Sequence, residues 1–212
     1  MNDTFFMAVI VPLSILLPIF LGLIKFKKLA PGARILFWYL VVAGLTNFTA
    51  TIIAKYLHKN NLPLIHIFTV AEVIFFTLYY QYLSGSRNRI FIFIPVLFTF
   101  LSVINTVFFQ SIFTYNSYTR SAEAIICIFF ALNYFAGLAA ASPNKKIANQ
   151  PDFYFNTGIF LYFSGAFMLF VFSNFIITNL SKTNFFIIWN IHAALLLLMY
   201  LLFSMAFLLC KK

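Results

Sequence analysis

Long apolar stretches recur along the whole chain and are separated by short polar connections. Seven of these stretches are each about 20 residues or slightly longer, which is enough to cross the hydrocarbon core of a bilayer. They are continuously apolar and lack the period-two alternation of barrel strands, so the pattern predicts helices. The predicted spans are 6–24, 35–54, 63–83, 90–109, 119–141, 154–178 and 185–209.

Local signals agree with helices. Asn61 and Pro63 open the third span as a cap and an early proline. Pro12 and Pro95 lie inside spans, where a membrane helix tolerates them if neighbouring groups satisfy the freed carbonyls. The longest connection, 142–153, is too short for a folded domain. The sequence therefore predicts one all-α transmembrane domain of seven helices over residues 1–212, with no soluble domain.

Composition supports the same fold class. Hydrophobic residues make up 63% of the chain, aromatic residues 21% and charged residues only 8%, whereas a soluble domain has about 25% charged residues. The 14 Lys and Arg residues greatly outnumber the 4 Asp and Glu residues. These bases lie mainly in the short connections and form no stripe on a soluble face, so nucleic acid is not an expected partner.

The positions of the bases predict how the chain crosses the membrane. Most of them fall in 25–34, 84–89, 142–153 and the carboxyl tail. The positive-inside rule then places the amino terminus outside and the carboxyl terminus in the cytoplasm. The first residues lack a basic n-region, so no cleaved signal peptide is expected. We expect an integral protein of a bacterial cytoplasmic (inner) membrane, with Cys127 and Cys210 as free thiols too far apart to pair.

Ionisable groups inside the spans are the informative exceptions, because each costs at least about 2.5–3.5 kcal/mol near the bilayer centre. Glu72 lies about 14 Å along its helix from Pro63 at 1.5 Å per residue. Arg120 and Glu123 lie closer to the outer surface. Polar groups are concentrated in the outer halves of the spans, which predicts an outward-facing polar pocket closed below by Phe and Leu.

The candidate ligand-binding residues are therefore those polar or aromatic groups that fall in the outer halves. They are Glu72, Arg120, Glu123, His66, His192, Asn190, Trp189 and Asn47.

Several of these residues have a second interpretation. Arg120 and Glu123 are i, i+3 neighbours and form either a structural ion pair or an arginine oriented for an anionic ligand. Glu72 has no charged partner on its own helix, so it is protonated, solvated or paired across helices with Arg120 or His192. His66 and Trp189 could instead be interfacial side chains.

Other seven-helix chemistries fit less well. A retinal protein needs a lysine in its last span, and residues 185–209 contain none. Zinc-dependent intramembrane hydrolases use about three histidines. Here a metal would have only His66, Glu72 and His192, so neither a metal nor another cofactor is expected. A transporter built from related halves should repeat the prolines of span one in span five, which has none.

The run from Asn61 to His66, continuing to Glu72, and the run from Trp189 to His192 resemble small seven-helix proteins of Bacteroidota-type bacteria, some of which occur near sensor kinases. That resemblance implies a sensory role. We therefore predict a receptor-like protein, surrounded by membrane lipids, that binds a small or lipidic ligand. It would act on a cytoplasmic or membrane signalling partner through Lys25–Arg34, the 142–153 loop or the tail.

Two alternatives remain at this stage. The first is an intramembrane lipid-modifying enzyme with Glu72 or His192 as general base and Arg120 holding a phosphate or carboxylate. The second is a small-solute transporter.

Overall fold

The computed structural model describes residues 5–85, 88–140 and 147–210, and across these ranges the chain is helical with no β-strand. Seven helices in these ranges are long and apolar enough to span a membrane. They are α1 (Phe6–Ile24), α2 (Pro31–Lys55), α3 (Leu62–Ser84), α4 (Ile90–Phe108), α5 (Ser117–Ala140), α6 (Pro151–Asn179) and α7 (Lys182–Leu209).

The prediction of seven apolar helices is confirmed, and most ends agree within three residues. The starts of α2 and α6 are the instructive differences, because both begin at a proline earlier than the apolar pattern alone indicates. Pro31 and Pro151 each occupy the first turn of the helix, where the missing N–H would have no helical partner. The charged residues Asp3, Arg87, Lys145, Lys146, Lys211 and Lys212, and residues 142–146 of the predicted 142–153 loop, lie outside the described residues.

Helices that alternate in direction give the bundle two ends. We call the end formed by 56–61, 109–116 and 180–181 the amino-terminal end, and the end formed by 25–30 and the close of α7 the carboxy-terminal end. At the first, the Asn60 side chain donates to the carbonyl oxygen of Phe113 at 2.8 Å. At the second, the Lys25 ammonium donates to the carbonyl oxygen of Leu208 at 2.6 Å.

Phenylalanine rings fill the middle of the bundle. Phe76 and Phe163 are fully buried and meet edge to face with centroids 5.5 Å apart. Phe155 and Phe203 are also fully buried, with centroids 5.2 Å apart. Edge-to-face pairs of this kind add stability beyond the area they bury. This phenylalanine layer separates polar groups at the two ends of the bundle.

The outside of the bundle is as apolar as its interior. Phe20 is 59% exposed, Phe48 66% and Val107 67%. Contiguous exposed apolar surface of this extent would be unstable in water but matches a hydrocarbon environment. The seven apolar helices and their apolar surface indicate an integral membrane protein.

The half of the bundle toward the carboxy-terminal end contains more hydrogen-bonded polar side chains than the sequence predicted. Asp152 is expected in a water-accessible connection, but it is the second residue of α6 and accepts a hydrogen bond from the Tyr79 hydroxyl at 3.2 Å. The Tyr80 hydroxyl donates to Asn156 Oδ1 at 2.7 Å, and Asn156 Nδ2 donates to the carbonyl oxygen of Ala131 at 3.3 Å. Because α6 begins at Pro151, it carries both side chains into the bundle.

Close packing of α1 depends on Gly22. A Cβ atom built on Gly22 would lie 2.6 Å from Cδ2 of Phe37, and 3.4 Å from Cζ of Phe207. Both rings are buried, so neither can move aside freely. By contrast, a Cβ atom on Gly137 of α5 would meet nothing within 4 Å.

We therefore expect Gly22→Ala to lower stability relative to Gly137→Ala by about 1–3 kcal/mol, the usual cost of overpacking. Gly137→Ala is the matched control, because it makes the same chemical change in open space. Thermal unfolding of both purified variants in detergent provides the measurement. Equal melting temperatures would contradict the close packing of α1.

Candidate functional site

The candidate site is centred on Glu72, which lies in the middle of α3 and is only 2% exposed. Both of its carboxylate oxygens have partners on other helices. Oε1 accepts a hydrogen bond from the Tyr39 hydroxyl of α2 at 2.7 Å, and Oε2 accepts one from Arg120 Nη1 of α5 at 2.6 Å. Of the alternatives that the sequence left open for Glu72, the structure shows pairing across helices with Arg120.

Arg120 lies in the first turn of α5 and joins several elements. Its Nη1 also donates to Glu123 Oε2 at 2.8 Å, so the i, i+3 ion pair predicted from the sequence is present. Nη2 donates to the Tyr162 hydroxyl oxygen of α6 at 3.3 Å. The guanidinium carbon lies 4.7 Å from the centre of the Phe170 ring, in cation–π range.

His192 extends this network to α7. Its Nε2 lies 3.1 Å from the Tyr162 hydroxyl. Because the Tyr162 oxygen accepts from Arg120, its proton is available to the imidazole. Trp189 lies one turn earlier on the same face, with its ring 5.4 Å from the His192 ring. Its indole Nε1 has no hydrogen-bond partner among the described residues.

These groups line a cavity of about 300 Å³ between α2, α3, α5, α6 and α7. Five of the eight predicted ligand-binding residues contribute to its wall, namely Glu72, Arg120, His192, Trp189 and Asn47. The cavity thus brings together one carboxylate, one guanidinium and one imidazole in an apolar bundle.

The other three predicted residues have different positions. Glu123 is fully buried behind Arg120 and holds it rather than lining the cavity. His66 lies on another cavity, of about 220 Å³, where its Nε2 is 2.9 Å from the carbonyl oxygen of Thr114. Asn190 is not part of the wall.

Because His66 lies on a different cavity, its position also bears on the possible metal site of His66, Glu72 and His192. His66, Glu72 and His192 do not line one common cavity. Over the described ranges, no group of three or more His, Cys, Asp or Glu side chains is arranged to hold a metal ion.

Sequence reasoning missed the tyrosines of the site. Tyr39 and Tyr162 bond the charged groups directly, and Tyr115 and Tyr200 complete the wall. A signal existed, since a buried tyrosine hydroxyl usually needs a polar partner. Burial raises the pKa of Tyr115, in the connection before α5, above its usual value, although Arg120 acts in the opposite direction. Its hydroxyl therefore remains a donor at neutral pH.

Two carboxyl groups share one arginine in the cluster. Glu72 and Glu123 both contact Arg120, and these are the only ion pairs within the part of the chain that the structure describes.

No protein-family model matches the chain, and the comparisons with curated proteins and with solved structures return no match.

Removing Arg120 should be strongly destabilising, because Arg120→Gln leaves two buried carboxylates without a countercharge. A loss of about 3–5 kcal/mol is expected, as for other broken buried ion pairs. The double variant Arg120→Gln with Glu72→Gln should recover part of the loss, since it removes one uncompensated charge. The free energy of unfolding is measured in detergent for the wild type, for Arg120→Gln and for the double variant.

Lys182→Gln is a suitable control, because Lys182 is an exposed base at the start of α7. A loss for Arg120→Gln no larger than for Lys182→Gln would show that the pairing does not support the fold.

Proposed function

We propose that this protein is a receptor-like sensory membrane protein that binds a small or lipidic ligand in the cavity around Glu72. The observation that carries the proposal is the position of the charged pair. Glu72 and Arg120 are buried, yet both line a cavity of about 300 Å³. Intramembrane ionisable groups are costly, and their usual role is functional.

In the proposed orientation, the amino-terminal end faces the outside and the carboxy-terminal end faces the cytoplasm. The support comes from the sequence, where most Lys and Arg residues fall in connections at the second end. The cavity would then open outward, where Asn47 and Thr51 are partly exposed.

Signalling would pass to a cytoplasmic or membrane partner at the carboxy-terminal end. The support is that α3 carries Glu72 in the site and also Tyr79 and Tyr80, which bond Asp152 and Asn156 of α6. A ligand that moves Glu72 would act on these contacts two turns further along the same helix. The basic segment 25–34 offers a charged surface for the partner at that end.

An intramembrane lipid-modifying enzyme is the second candidate, and one observation favours it. His192 lines the cavity with its Nε2 3.1 Å from the Tyr162 hydroxyl, within the reach required of a general base. We rank it second because both Glu72 oxygens are already bonded. Conversion of a bound compound, rather than its retention, would favour the enzyme.

Labelling of single cysteines tests the orientation, with Cys127→Ala and Cys210→Ala as the background, since both native thiols are buried and free. A membrane-impermeant maleimide should label Lys59→Cys in intact spheroplasts. It should label Lys27→Cys only after permeabilisation. The reverse pattern would invert the proposed topology.

Replacing Glu72 tests the site. Mass spectrometry of the purified wild-type protein should detect a bound small molecule or lipid. Glu72→Gln and His192→Gln should each reduce the occupancy of that compound by about tenfold or more. This is the effect of losing one charge-assisted hydrogen bond. Asp152→Asn is the matched control, because this acid lies at the other end of the bundle.

If the wild type and the three variants are folded and bind the compound equally, the proposed site is wrong.

A further inference from the structure

We propose that the ligand is an uncharged molecule with an apolar body and a carbonyl group, and that this carbonyl accepts hydrogen bonds from Arg120 and Trp189. The proposal rests on the function proposed above and names the chemical class of the ligand. Its basis is that the cavity wall offers buried hydrogen-bond donors without partners.

Two buried N–H groups on the wall of the cavity have no hydrogen-bond partner among the described residues. They are Nε of Arg120 and Nε1 of Trp189. Arg120 is only 8% exposed, so water has little access to its guanidinium. A buried donor without an acceptor is costly, because it has lost its bonds to water and gained none in the protein. An acceptor atom inside the cavity would remove that cost.

The acceptors of the same wall are in a different state. Among the residues that the structure describes, no buried side-chain acceptor on this wall lacks a partner. Both oxygens of Glu72 accept hydrogen bonds, one from Tyr39 and one from Arg120. Glu72 therefore acts on the ligand by holding Arg120, and the group that the ligand must supply is an acceptor.

A row of side chains connects the two free donors. Arg120 Nη2 donates to the Tyr162 hydroxyl oxygen at 3.3 Å, and that hydroxyl lies 3.1 Å from Nε2 of His192. The His192 ring lies 5.4 Å from the Trp189 ring. All four residues line the cavity. A carbonyl oxygen has two lone pairs, so it can accept two hydrogen bonds, one from each donor.

The charges around Arg120 are balanced without a ligand. Glu123 is hydrogen-bonded to Glu72 as well as to Arg120. Ionised carboxylates are acceptors only, so a hydrogen bond between two carboxyl groups requires one proton. The pair then carries one negative charge, and the guanidinium carries one positive charge. A ligand that preserves this balance has no net charge.

Charged ligands of either sign fit this cavity less well. A carboxylate would place a further negative charge beside Glu72, which lines the same cavity. An ammonium group would meet both Glu72 oxygens already bonded, and its N–H groups could not use the free N–H of Arg120. A buried charge without a counterion is costly, whereas a carbonyl group carries none.

The rest of the wall suits an apolar molecule. Ala43, Ile65, Phe68 and Leu196 contribute to it, and none of these side chains forms hydrogen bonds. A volume of about 300 Å³ is in the range of small-molecule sites. The body of the ligand would therefore lie against hydrocarbon and aromatic groups while its carbonyl faces the two donors.

Four probes built on one ring test the charge and the acceptor. They are cyclooctanone, methylenecyclooctane, cyclooctylamine and cyclooctanecarboxylic acid, added at neutral pH to the Trp38→Phe protein. The protein is placed in nanodiscs of ether-linked phosphatidylcholine, which contain no lipid carbonyl. Because the chain has only two tryptophans, the fluorescence of the remaining Trp189 reports binding.

Cyclooctanone should reach half-saturation at a bilayer mole fraction about tenfold lower than methylenecyclooctane, in which a methylene replaces only the oxygen. Equal half-saturation for these two probes would overturn the carbonyl assignment. Tighter binding of the amine or of the acid than of the ketone would overturn it as well.

The infrared band of the cyclooctanone carbonyl tests the donors directly, because hydrogen bonding to a carbonyl oxygen lowers its stretching frequency. A heavy isotope in the ketone carbonyl separates this band from those of the protein. The band of the bound ketone should lie below that of the ketone in protein-free nanodiscs. Trp189→Phe should move the band part of the way back.

Trp38→Phe is the matched control for Trp189→Phe, because it makes the same change outside the cavity wall. An identical band in the two variants would overturn the role of the indole. The comparison of the four probes requires no change at the site, so it remains decisive if Trp189→Phe does not fold.

A carbonyl group could come from a lipid ester or from a free small molecule. Repeating the cyclooctanone titration in nanodiscs of ester-linked phosphatidylcholine distinguishes these sources. A higher half-saturation there than in ether-linked nanodiscs assigns the site to the lipid ester, which competes with the probe. An equal value assigns the site to a free molecule.

These measurements separate the ligand class from the proposed function. Saturable binding of cyclooctanone and methylenecyclooctane with equal half-saturation keeps the cavity as a ligand site and overturns only the carbonyl. If the folded protein gives no saturable response to any of the four probes, both proposals are wrong.

Discussion

A buried arginine held between two glutamates determines how the helices of this protein meet. Charges in an apolar bundle are tolerated only when they are paired and hydrogen-bonded, and the partners here come from different helices. Arg120 of α5 bonds Glu72 of α3 and Tyr162 of α6. The Tyr39 hydroxyl of α2 donates to the other carboxylate oxygen of Glu72. This cluster therefore fixes which faces of α2, α3, α5 and α6 turn inward at this level of the bundle.

The position of the cluster also explains the division of the bundle into two polar halves. The phenylalanine layer around Phe76 and Phe163 separates the cavity from the hydrogen bonds of Asp152 and Asn156. Each half makes its own hydrogen bonds, and buried aromatic rings lie between them. In this packing, α3 and α6 contribute hydrogen-bonding side chains to both halves.

The sequence predicted the seven helices because apolar length is a local property and needs no knowledge of neighbours. It also predicted the Arg120–Glu123 pair, which depends only on helical spacing. The partner of Glu72 could be narrowed to Arg120 or His192, since a buried acid needs a nearby donor. Tyr39 and Tyr162 were missed because tyrosine is ordinary in an apolar helix, and its hydroxyl acquires a role only from a neighbouring helix. His66 was misplaced relative to the site for the same reason, since depth in the membrane does not specify the direction that a side chain faces.

Helix α3 carries polar contacts to both ends of the bundle, and this has a consequence for the way the protein can change shape. Glu72 and Tyr79 are seven residues apart, about two helical turns, so they point in nearly the same direction from the helix axis. A rotation of α3 that separates Glu72 from Arg120 must therefore also swing Tyr79 away from Asp152. Neither end can relax alone while the helix stays rigid. The two ends of the bundle are thus mechanically coupled through α3.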